Sequence, residues 1–343
     1  MDDRHGDESQ MRAALALAGL GPRADPNPRV GAVVRDAAGR VVGRGFHRGA
    51  GTPHAEVVAL AQAGNAARDG TAFVTLEPCD HTGRTGPCSR ALSAAGVRRV
   101  VYAQSDPNPQ AAGGAQTLRA AGVSVQSGVL AAEAEKLNSD WSFAVSTGRP
   151  RVVWKFAGTL DGRSAAADGT SQWITGPQAR ADVHRLRARA GAILVGTGTV
   201  EADDPWLTVR NAEGRLADRQ PLRVVMGQRP VPATARVLDD AAETWQARTR
   251  DPHQVLQDLH QRGIRQVWLE GGPTVAAAFL AAGLVDEVIA YLAPVLLGAG
   301  TAAVGDLGIS TLREAPRLRV LEATMIGPDL RVRATPDASG RES

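Results

Sequence analysis

Apolar positions along this chain follow two rhythms, and their alternation predicts its elements. An apolar run at residues 11–20 reads as a helix, followed by the turn Asp25-Pro26-Asn27-Pro28 and a strand at 30–34. Asp36-Ala37-Ala38-Gly39 turns the chain into a second strand at 41–46, a hairpin. Residues 54–63, with Val57, Val58 and Leu60 among alanines, predict a mostly buried helix. A strand at 72–76, a helix at 88–95 and a strand at 99–103 follow. Residues 116–121 and 123–125 continue the alternation, and a single helix from 130 to about 145 closes it. Strands alternating with helices imply a layered α/β sheet.

Ser146-Thr147-Gly148-Arg149-Pro150 punctuates the pattern and predicts a domain boundary, with domains at 1–147 and 148–343. Beyond it the pattern predicts strands at 152–157, 192–195, 222–226, 267–269 and 285–292. Helices are predicted at 177–189, with Pro177 at an early position, and at 274–282. The tail from 336 reads as polar and frayed.

Composition changes this picture in two places. Two cysteines in 343 residues exclude a disulfide scaffold and suit a reducing compartment. Only two of the 39 basic residues are lysines, Lys136 and Lys155, so a lysine that survives the arginine bias invites a reason. Residues 1–147 hold 15 basic and 14 acidic groups. With no basic run interleaved with aromatics, nucleic acid is not the expected partner. The first helix follows Asp2, Asp3, Asp7 and Glu8, the wrong flank for a signal peptide. No segment reaches the ~20 apolar residues of a membrane span. A soluble, cytoplasmic protein with no membrane partner is expected. We also expect a homo-oligomer, of an order the sequence does not set.

The candidate chemistry of the first half lies between His54-Ala55-Glu56 and Glu77-Pro78-Cys79…Cys88. One histidine and two thiols supply three ligands for a zinc ion, leaving a fourth position for water. His54 opens one helix, Cys79 ends a strand and Cys88 opens the next helix, so the three can converge. Glu56, two residues past the histidine, is then free to shuttle protons, the arrangement of zinc nucleobase deaminases. Those enzymes space their cysteines as Pro-Cys-x-x-Cys, whereas here eight residues intervene. A nucleic-acid deaminase with an appended module and a zinc-stabilised binding protein are the competing readings. Three ligands rather than four, with Glu56 left over, count against the second.

Pro26-Asn27-Pro28-x-Val30-Gly31, Gly45-Phe46-His47, His54-Ala55-Glu56 and Thr75-Leu76-Glu77-Pro78-Cys79, with His81 and Cys88, resemble the deaminase half of bifunctional riboflavin biosynthesis proteins of the RibD type. That family has the longer cysteine spacing. The resemblance implies a cytidine-deaminase-like α/β/α domain. It also implies a diaminopyrimidinone substrate bearing a 5-phosphoribosylamino group, from which the 2-amino group is lost. Asn27, His47, His81, Arg84, Asp106 and Asn108 are then the expected contacts to ring or phosphate, with Asp80 beside them. Arg84 stands where the family commonly has lysine. Read alone, Asn27, Asp106 and Asn108 can equally cap turns.

In the second half Gly196-Thr197-Gly198-Thr199 follows a strand, but Glu201 breaks a Gly-x-Gly-x-x-Gly fingerprint, so a Rossmann domain is a poor fit. Gly271-Gly272-Pro273-Thr274 at a helix start reads as a phosphate cradle or as an ordinary turn. Lys155 with Thr159-Leu160-Asp161-Gly162-Arg163, Ser171-x-Trp173-Ile174-Thr175-Gly176, Asp203-Asp204-Pro205-x-Leu207-Thr208-Val209-Arg210 and Glu270-Gly271-Gly272-Pro273-Thr274 resemble the reductase half of the same family. The resemblance implies a dihydrofolate-reductase-like α/β domain that uses NADPH to reduce the ribosyl group to ribityl. Ala157, Trp173, Thr199, Asp203, Gly272, Pro273 and Thr274 are then expected to line the cofactor. Ser171, Arg187, Leu207, Arg210 and Glu270 are expected to hold substrate. Arg187 and Arg210 offer planar forks suited to a phosphate, and Lys155, expected at a strand end, could polarise the C1′ imine or an adjacent oxygen. Two departures from the family pattern are Ala190-Gly191 and Gly227, where aspartate is frequent.

Overall fold

The computed structural model describes residues 4–81, 86–211 and 213–337. The chain divides into two compact units, the division falling after Gly148.

The first unit contains α1 (Arg4–Ala18), β1 (Gly31–Arg35), β2 (Val41–Phe46), α2 (Ala55–Ala63), β3 (Thr71–Leu76), α3 (Cys88–Ala94), β4 (Arg99–Gln104), α4 (Gly114–Ala120), β5 (Ser124–Ser127), α5 (Ala131–Leu137) and α6 (Ser139–Thr147). Its five strands lie in the order β2-β1-β3-β4-β5. The hairpin and the β1–β3 pair are antiparallel, and β3, β4 and β5 run parallel. Period-two alternation splits each central strand between two cores. Ala32, Val34, Ala72 and Val74 face α2, α3 and α4 through Ala55, Ala59, Leu92 and Leu118. Val33, Phe73 and Val101 face α1 and α5 through Met11, Ala14 and Ala134. The result is an α/β/α sandwich. Gly43 and Gly45 let α2 lie against β2, because a Cβ at these positions would come within 2.1 Å of Ala59 O and 2.3 Å of Ala55 O.

The helix expected from 130 to 145 is two helices, broken at Asn138. The Asn138 side chain accepts from Arg29 N–H (2.9 Å) and donates to Arg29 O (2.9 Å). That long-range pair holds Asn138 at φ −109°, ψ 19°, outside the helical well. A break dictated by a residue 109 positions away leaves no local signal.

The second unit contains β6 (Arg151–Thr159), β7 (Arg163–Ala165), α7 (Pro177–Arg187), β8 (Ala192–Gly196), α8 (Thr197–Asp203), β9 (Leu222–Met226), β10 (Thr244–Ala247), α9 (Pro252–Gln261), β11 (Gln266–Leu269), α10 (Pro273–Ala281), β12 (Glu287–Ala293), β13 (Thr301–Ala302), β14 (Leu318–Ile326) and β15 (Asp329–Pro336). Eight of its strands form one sheet, β10-β9-β8-β11-β6-β12-β15-β14, parallel up to β12 and antiparallel for the last two. Val152, Trp154, Leu194, Val224 and Leu269 pack on one face with α9 and α10. Val153, Ile193, Val195, Val225 and Trp268 pack on the other with α7. Near-continuous burial of β8 and β9 matches strands covered on both sides.

Seven elements of this unit went unpredicted: β7, α8, β10, α9, β13, β14 and β15. The helix α9 carried a readable start: Asp251 caps it by accepting from His253 N–H (2.9 Å), and Pro252 occupies its first turn. The arginine-rich strands β14 and β15 gave a weaker signal. Their charges are paired only across the fold: Arg331 to Asp182 and Glu322 (both 2.7 Å), Arg333 to Glu287 (2.6 Å). Pro336 belongs to β15 rather than to a frayed tail. No helix among the described residues is long and apolar enough to cross a membrane.

Candidate functional site

In the first unit, three chain segments meet at one point. β3 delivers Cys79 just past its end, α2 starts immediately after His54, and α3 starts on Cys88. His54 Nδ1 lies 3.3 Å from Cys88 Sγ and 3.5 Å from Cys79 Sγ, and all three ligand atoms fall within 4.8 Å of one another. Ligands of a single tetrahedral zinc, with bonds of about 2.05 and 2.3 Å, stand about 3.6 Å apart for each N–S pair. The donor set therefore fits zinc in type and spacing. Both cysteines are buried and unbridged. The Cys88 N–H also points at Cys79 Sγ (3.5 Å).

The electrostatics agree with a site built for a cation. Hydrogen bonding from the Cys88 thiol, helped by His54 and the Cys88 N–H, pulls the Cys79 thiol down to about 4. Cys88 moves the opposite way, because it keeps the proton the two sulfurs share and is buried. His54 is raised, chiefly by its bond to Cys79. Glu56, 4 % exposed, is pushed up to about 7, mainly by burial, with the Cys79 charge adding to it.

Around this centre Asn27 Nδ2 and His47 Nε2 are 3.1 Å apart, and the His47 ring stands edge-on to His54 with centroids 5.4 Å apart. Burial lowers the His47 pKa, which favours a neutral ring. Asp106 and Asn108 act as turn caps as the structure stands: Asp106 Oδ1 accepts from Asn108 N–H (2.8 Å), and Asn108 Oδ1 from Gln110 N–H (3.1 Å). Burial, with Glu77 and Cys79 adding, raises Asp106 to about 6. His81 is exposed beside the metal centre's strand end, and Arg84 lies outside the described residues. Asp80 is committed elsewhere. Its carboxylate accepts from Ser89 Oγ (2.5 Å) and Thr117 Oγ1 (2.7 Å), tying α3 to α4, so it is not a free substrate contact.

In the second unit, all thirteen residues singled out from the sequence border one cleft of about 1940 Å³. It opens where the C-terminal ends of β8, β9 and β11 give way to loops, the usual ligand crevice of parallel sheets. Lys155 lies in the middle of β6, not at a strand end, and is half-buried. Burial lowers its pKa, Glu270 opposes that, and Arg187 adds to it. The Arg187 fork is not open for a phosphate: Nε and Nη2 grip Glu270 Oε1 and Oε2 at 2.6 and 2.5 Å, and Nη1 donates to Thr208 O (3.2 Å). Trp268 Nε1 donates to the same carboxylate. Burial would push Glu270 up, but Arg187 and Lys155 overcome it and hold Glu270 near 2. Glu270 is thus clamped by Arg187 and Trp268 with both oxygens already engaged, and its charge acts on Lys155 through space.

Arg210 is the looser arginine, half-buried, donating to Gly214 O (2.9 Å) with its guanidinium 5.7 Å from the Trp206 ring centroid. Leu207 is 3 % exposed and packed into the core at φ 50°, so only its backbone can meet a ligand. Ser171 Oγ donates to Asp203 Oδ1 (3.2 Å), and Trp173 is 70 % exposed beneath the Arg180 guanidinium. Gly272 N–H donates to Thr199 Oγ1 (3.2 Å), and that hydroxyl is the only group a Cβ there would meet, so the helix start is sterically open to the cleft although this N–H is engaged. Gly271 is glycine for packing: a Cβ would stand 2.7 Å from Val275 Cβ. Gly227 has a local cause too, since at φ 151° its Cβ would fall 2.6 Å from Thr197 Oγ1. A long cleft with an open helix start and facing polar side chains fits a dinucleotide.

Sequence reasoning passed over Glu77 and His184. Glu77 accepts three backbone N–H groups across the loop after β4. His184 Nδ1 accepts from Arg210 N–H (3.3 Å) at the cleft wall. Glu77 was visible as the residue between a strand and Pro-Cys, but nothing local shows what it would bond.

Comparison with known proteins agrees with both halves. Residues 4–104 match the cytidine and deoxycytidylate deaminase zinc-binding region, and residues 150–332 match the RibD C-terminal domain. The chain is 53% identical over 306 residues to the riboflavin biosynthesis protein RibD of Mycobacterium tuberculosis H37Rv, covering 89% of this chain and 90% of that protein. It is 44% identical over 360 residues to the protein of the same name from Escherichia coli K12, covering 94% and 98%. Among solved structures, Acinetobacter baumannii RibD superposes with a TM-score of 0.88 at 40% identity, covering 98% of this chain and 100% of that one. The Thermotoga maritima diaminohydroxyphosphoribosylaminopyrimidine deaminase/5-amino-6-(5-phosphoribosylamino)uracil reductase superposes at 0.85 and 35%, covering 97% and 99%.

Proposed function

Because the chain belongs to the RibD family of riboflavin biosynthesis proteins, we propose that its two units carry out that family's two reactions in turn. The first unit removes the 2-amino group of 2,5-diamino-6-(5-phosphoribosylamino)pyrimidin-4-one. The second reduces the ribosyl group of 5-amino-6-(5-phosphoribosylamino)uracil to ribityl. The observation that carries the reading is the convergence of His54 Nδ1, Cys79 Sγ and Cys88 Sγ beside a buried Glu56 that is not one of them.

His54, Cys79 and Cys88 hold the zinc. When bound, zinc supplies a water acidic enough to serve as hydroxide at neutral pH. Glu56 takes one proton from the attacking water and passes it to the ring nitrogen, then takes the second from the hydroxyl now on C2 and passes it to the amino group, which leaves as ammonia. Asn27 and His47 orient the ring, while His81, Arg84, Asp106 and Asn108 receive the ribosyl phosphate side. In the second unit NADPH supplies the hydride. Ala157, Trp173, Thr199, Asp203 and residues 272–274 line the cofactor. Lys155 places a positive charge against the C1′ imine, and the nearby charge of Glu270 favours its protonated form. Arg210, Ser171 and the Leu207 backbone bind substrate, and Arg187 acts by fixing Glu270.

A chelator separates the two halves. Ammonia release should stop on chelation and return with zinc, while NADPH oxidation with added deaminated intermediate continues unchanged. Ammonia release that survives removal of all metal would rule out the reading.

We further propose a cytoplasmic location, which suits two thiols that must stay reduced to bind metal, with no nucleic-acid partner. The chain pairs with copies of itself through β14. This nine-residue strand ends its sheet, with Val320 and Met325 each 59 % exposed, an edge that invites pairing. Light scattering should give a multiple of the chain mass that falls to one chain when Val320 and Met325 are replaced by lysine. A single-chain mass for the parent protein would remove the proposal.

A further inference from the structure

We propose that Glu77 is a positioning residue of the deamination: its carboxylate fixes the loop that carries Asp106 and Asn108 beside Cys79, and thereby sets substrate affinity without binding the metal. The inference rests on the reading that Asp106 touches the substrate.

Glu77 follows β3 directly, two residues before Cys79, and is 9 % exposed. Its own N–H donates to Gln104 O (2.8 Å), carrying the β3–β4 alignment one step beyond the strands. The side chain then spans the loop between β4 and α4. Oε2 accepts from Asp106 N–H (3.4 Å) at the start, and Oε1 accepts from Gly113 N–H (3.3 Å) and Ala115 N–H (3.1 Å) at the end. Between these anchors the loop is closed on itself: Asp106 and Asn108 cap successive turns, and Asn108 O accepts from Ala111 N–H (3.0 Å) and Ala112 N–H (2.9 Å). The loop is therefore a preformed unit whose position is set where it is tied to the metal strand.

Several ties hold it among the described residues. Asp80 N–H donates to Ala111 O (2.9 Å), and Gly114 sits so close that a Cβ would lie 1.7 Å from Pro78 O. Asp80 Oδ2 also accepts from Thr117 Oγ1 (2.7 Å) on α4, and Ala111 packs against Cys79 and Cys88. Among the hydrogen bonds that tie the loop to the metal strand, only those of Glu77 reach Asp106. A carboxylate is required there because both oxygens accept. A glutamine has one acceptor oxygen, and its amide nitrogen would face an N–H donor, so one end of the loop must let go. Among the described contacts Glu77 makes no hydrogen bond to His54, Cys79 or Cys88. Its loss should move the loop and spare the ligands.

The test is a double-mutant cycle on the full chain, with zinc content and the reductase rate measured alongside. Glu77→Gln should raise the deaminase KM about tenfold with kcat within about threefold. Zinc should remain at one per chain, and reduction should be unaffected. Asp106→Asn keeps the acceptor for Asn108 N–H and should raise KM about fivefold. The double variant should be little worse than the poorer single one, because both act through one loop. A parental KM for Glu77→Gln, loss of its zinc, or fully additive effects each overturn the role of Glu77. A parental KM for Asp106→Asn instead overturns the assignment of Asp106, and the inference about Glu77 with it. Should Glu77→Gln not fold, Glu77→Asp keeps the charge but is too short to span both loop ends, and the same criteria apply to it.

Discussion

Replacing Glu56 with glutamine should lower deaminase kcat by about a thousandfold, within the 10²–10⁴ range of general acid–base catalysis, while leaving zinc bound. Glutamine keeps the shape and one acceptor oxygen of glutamate but cannot carry a proton. The three converging ligand atoms come from His54, Cys79 and Cys88, so the metal loses nothing by the change. Glu56 sits on the first turn of α2 at 4 % exposure, where bulk water is a poor substitute as a proton carrier. The measurements are ammonia release under saturating substrate, zinc content of the purified protein, and the reductase rate of the same sample as a control for folding. A deaminase rate within a factor of a few of the parent would show that another group moves the proton. Loss of zinc would mean that the carboxylate is a ligand.

The second large effect belongs to Lys155. Changing it to methionine keeps most of the side-chain stem and removes the ammonium, and should lower reduction at least about tenfold, about 1.4 kcal/mol of transition-state stabilisation. Deamination and zinc content should not change. The substitution does not strand its partner, because Glu270 retains the two-pronged grip of Arg187 and the Trp268 N–H. The pH dependence follows from the sign of the shift. Burial lowers the Lys155 pKa from 10.5, so the charged form that the imine requires is lost at a lower pH than for a free lysine. Reductase kcat/KM should fall on the alkaline side below pH 10.5, and that limb should vanish in Lys155→Met. An unchanged rate, or an alkaline limb common to both proteins, would remove Lys155 from the reaction.

Much of the fold was legible because its strands bury side chains on alternate faces and its helices start at recognisable residues. Residues 41–46 and 222–226 coincide with β2 and β9, and the helix expected at 54 begins one residue later. The elements that were missed or misjudged depend on distant partners. Asn138 breaks a helix because Arg29 holds it. Residues 318–336 read poorly as strands because their arginines find their carboxylates only on α7, β12 and β14. The α9 start at Asp251-Pro252 is the exception, a local signal that was present and passed over.

The site divides along the same line. The sequence by itself determined the chemistry on offer: a histidine, two thiols and a spare carboxylate at helix and strand ends, and one lysine kept against an arginine bias. Those are properties of residue type and of local spacing, which need no distant partner. Tertiary structure decided which groups remain available. It turned the Arg187 fork onto Glu270, spent Asp80 on Ser89 and Thr117, and buried the Leu207 side chain. It also brought Glu77 across a loop whose residues lie 29 to 38 positions away. A hydrogen bond or ion pair exists only between groups that folding brings within about 3 Å, and a one-dimensional pattern does not record which pairs those are.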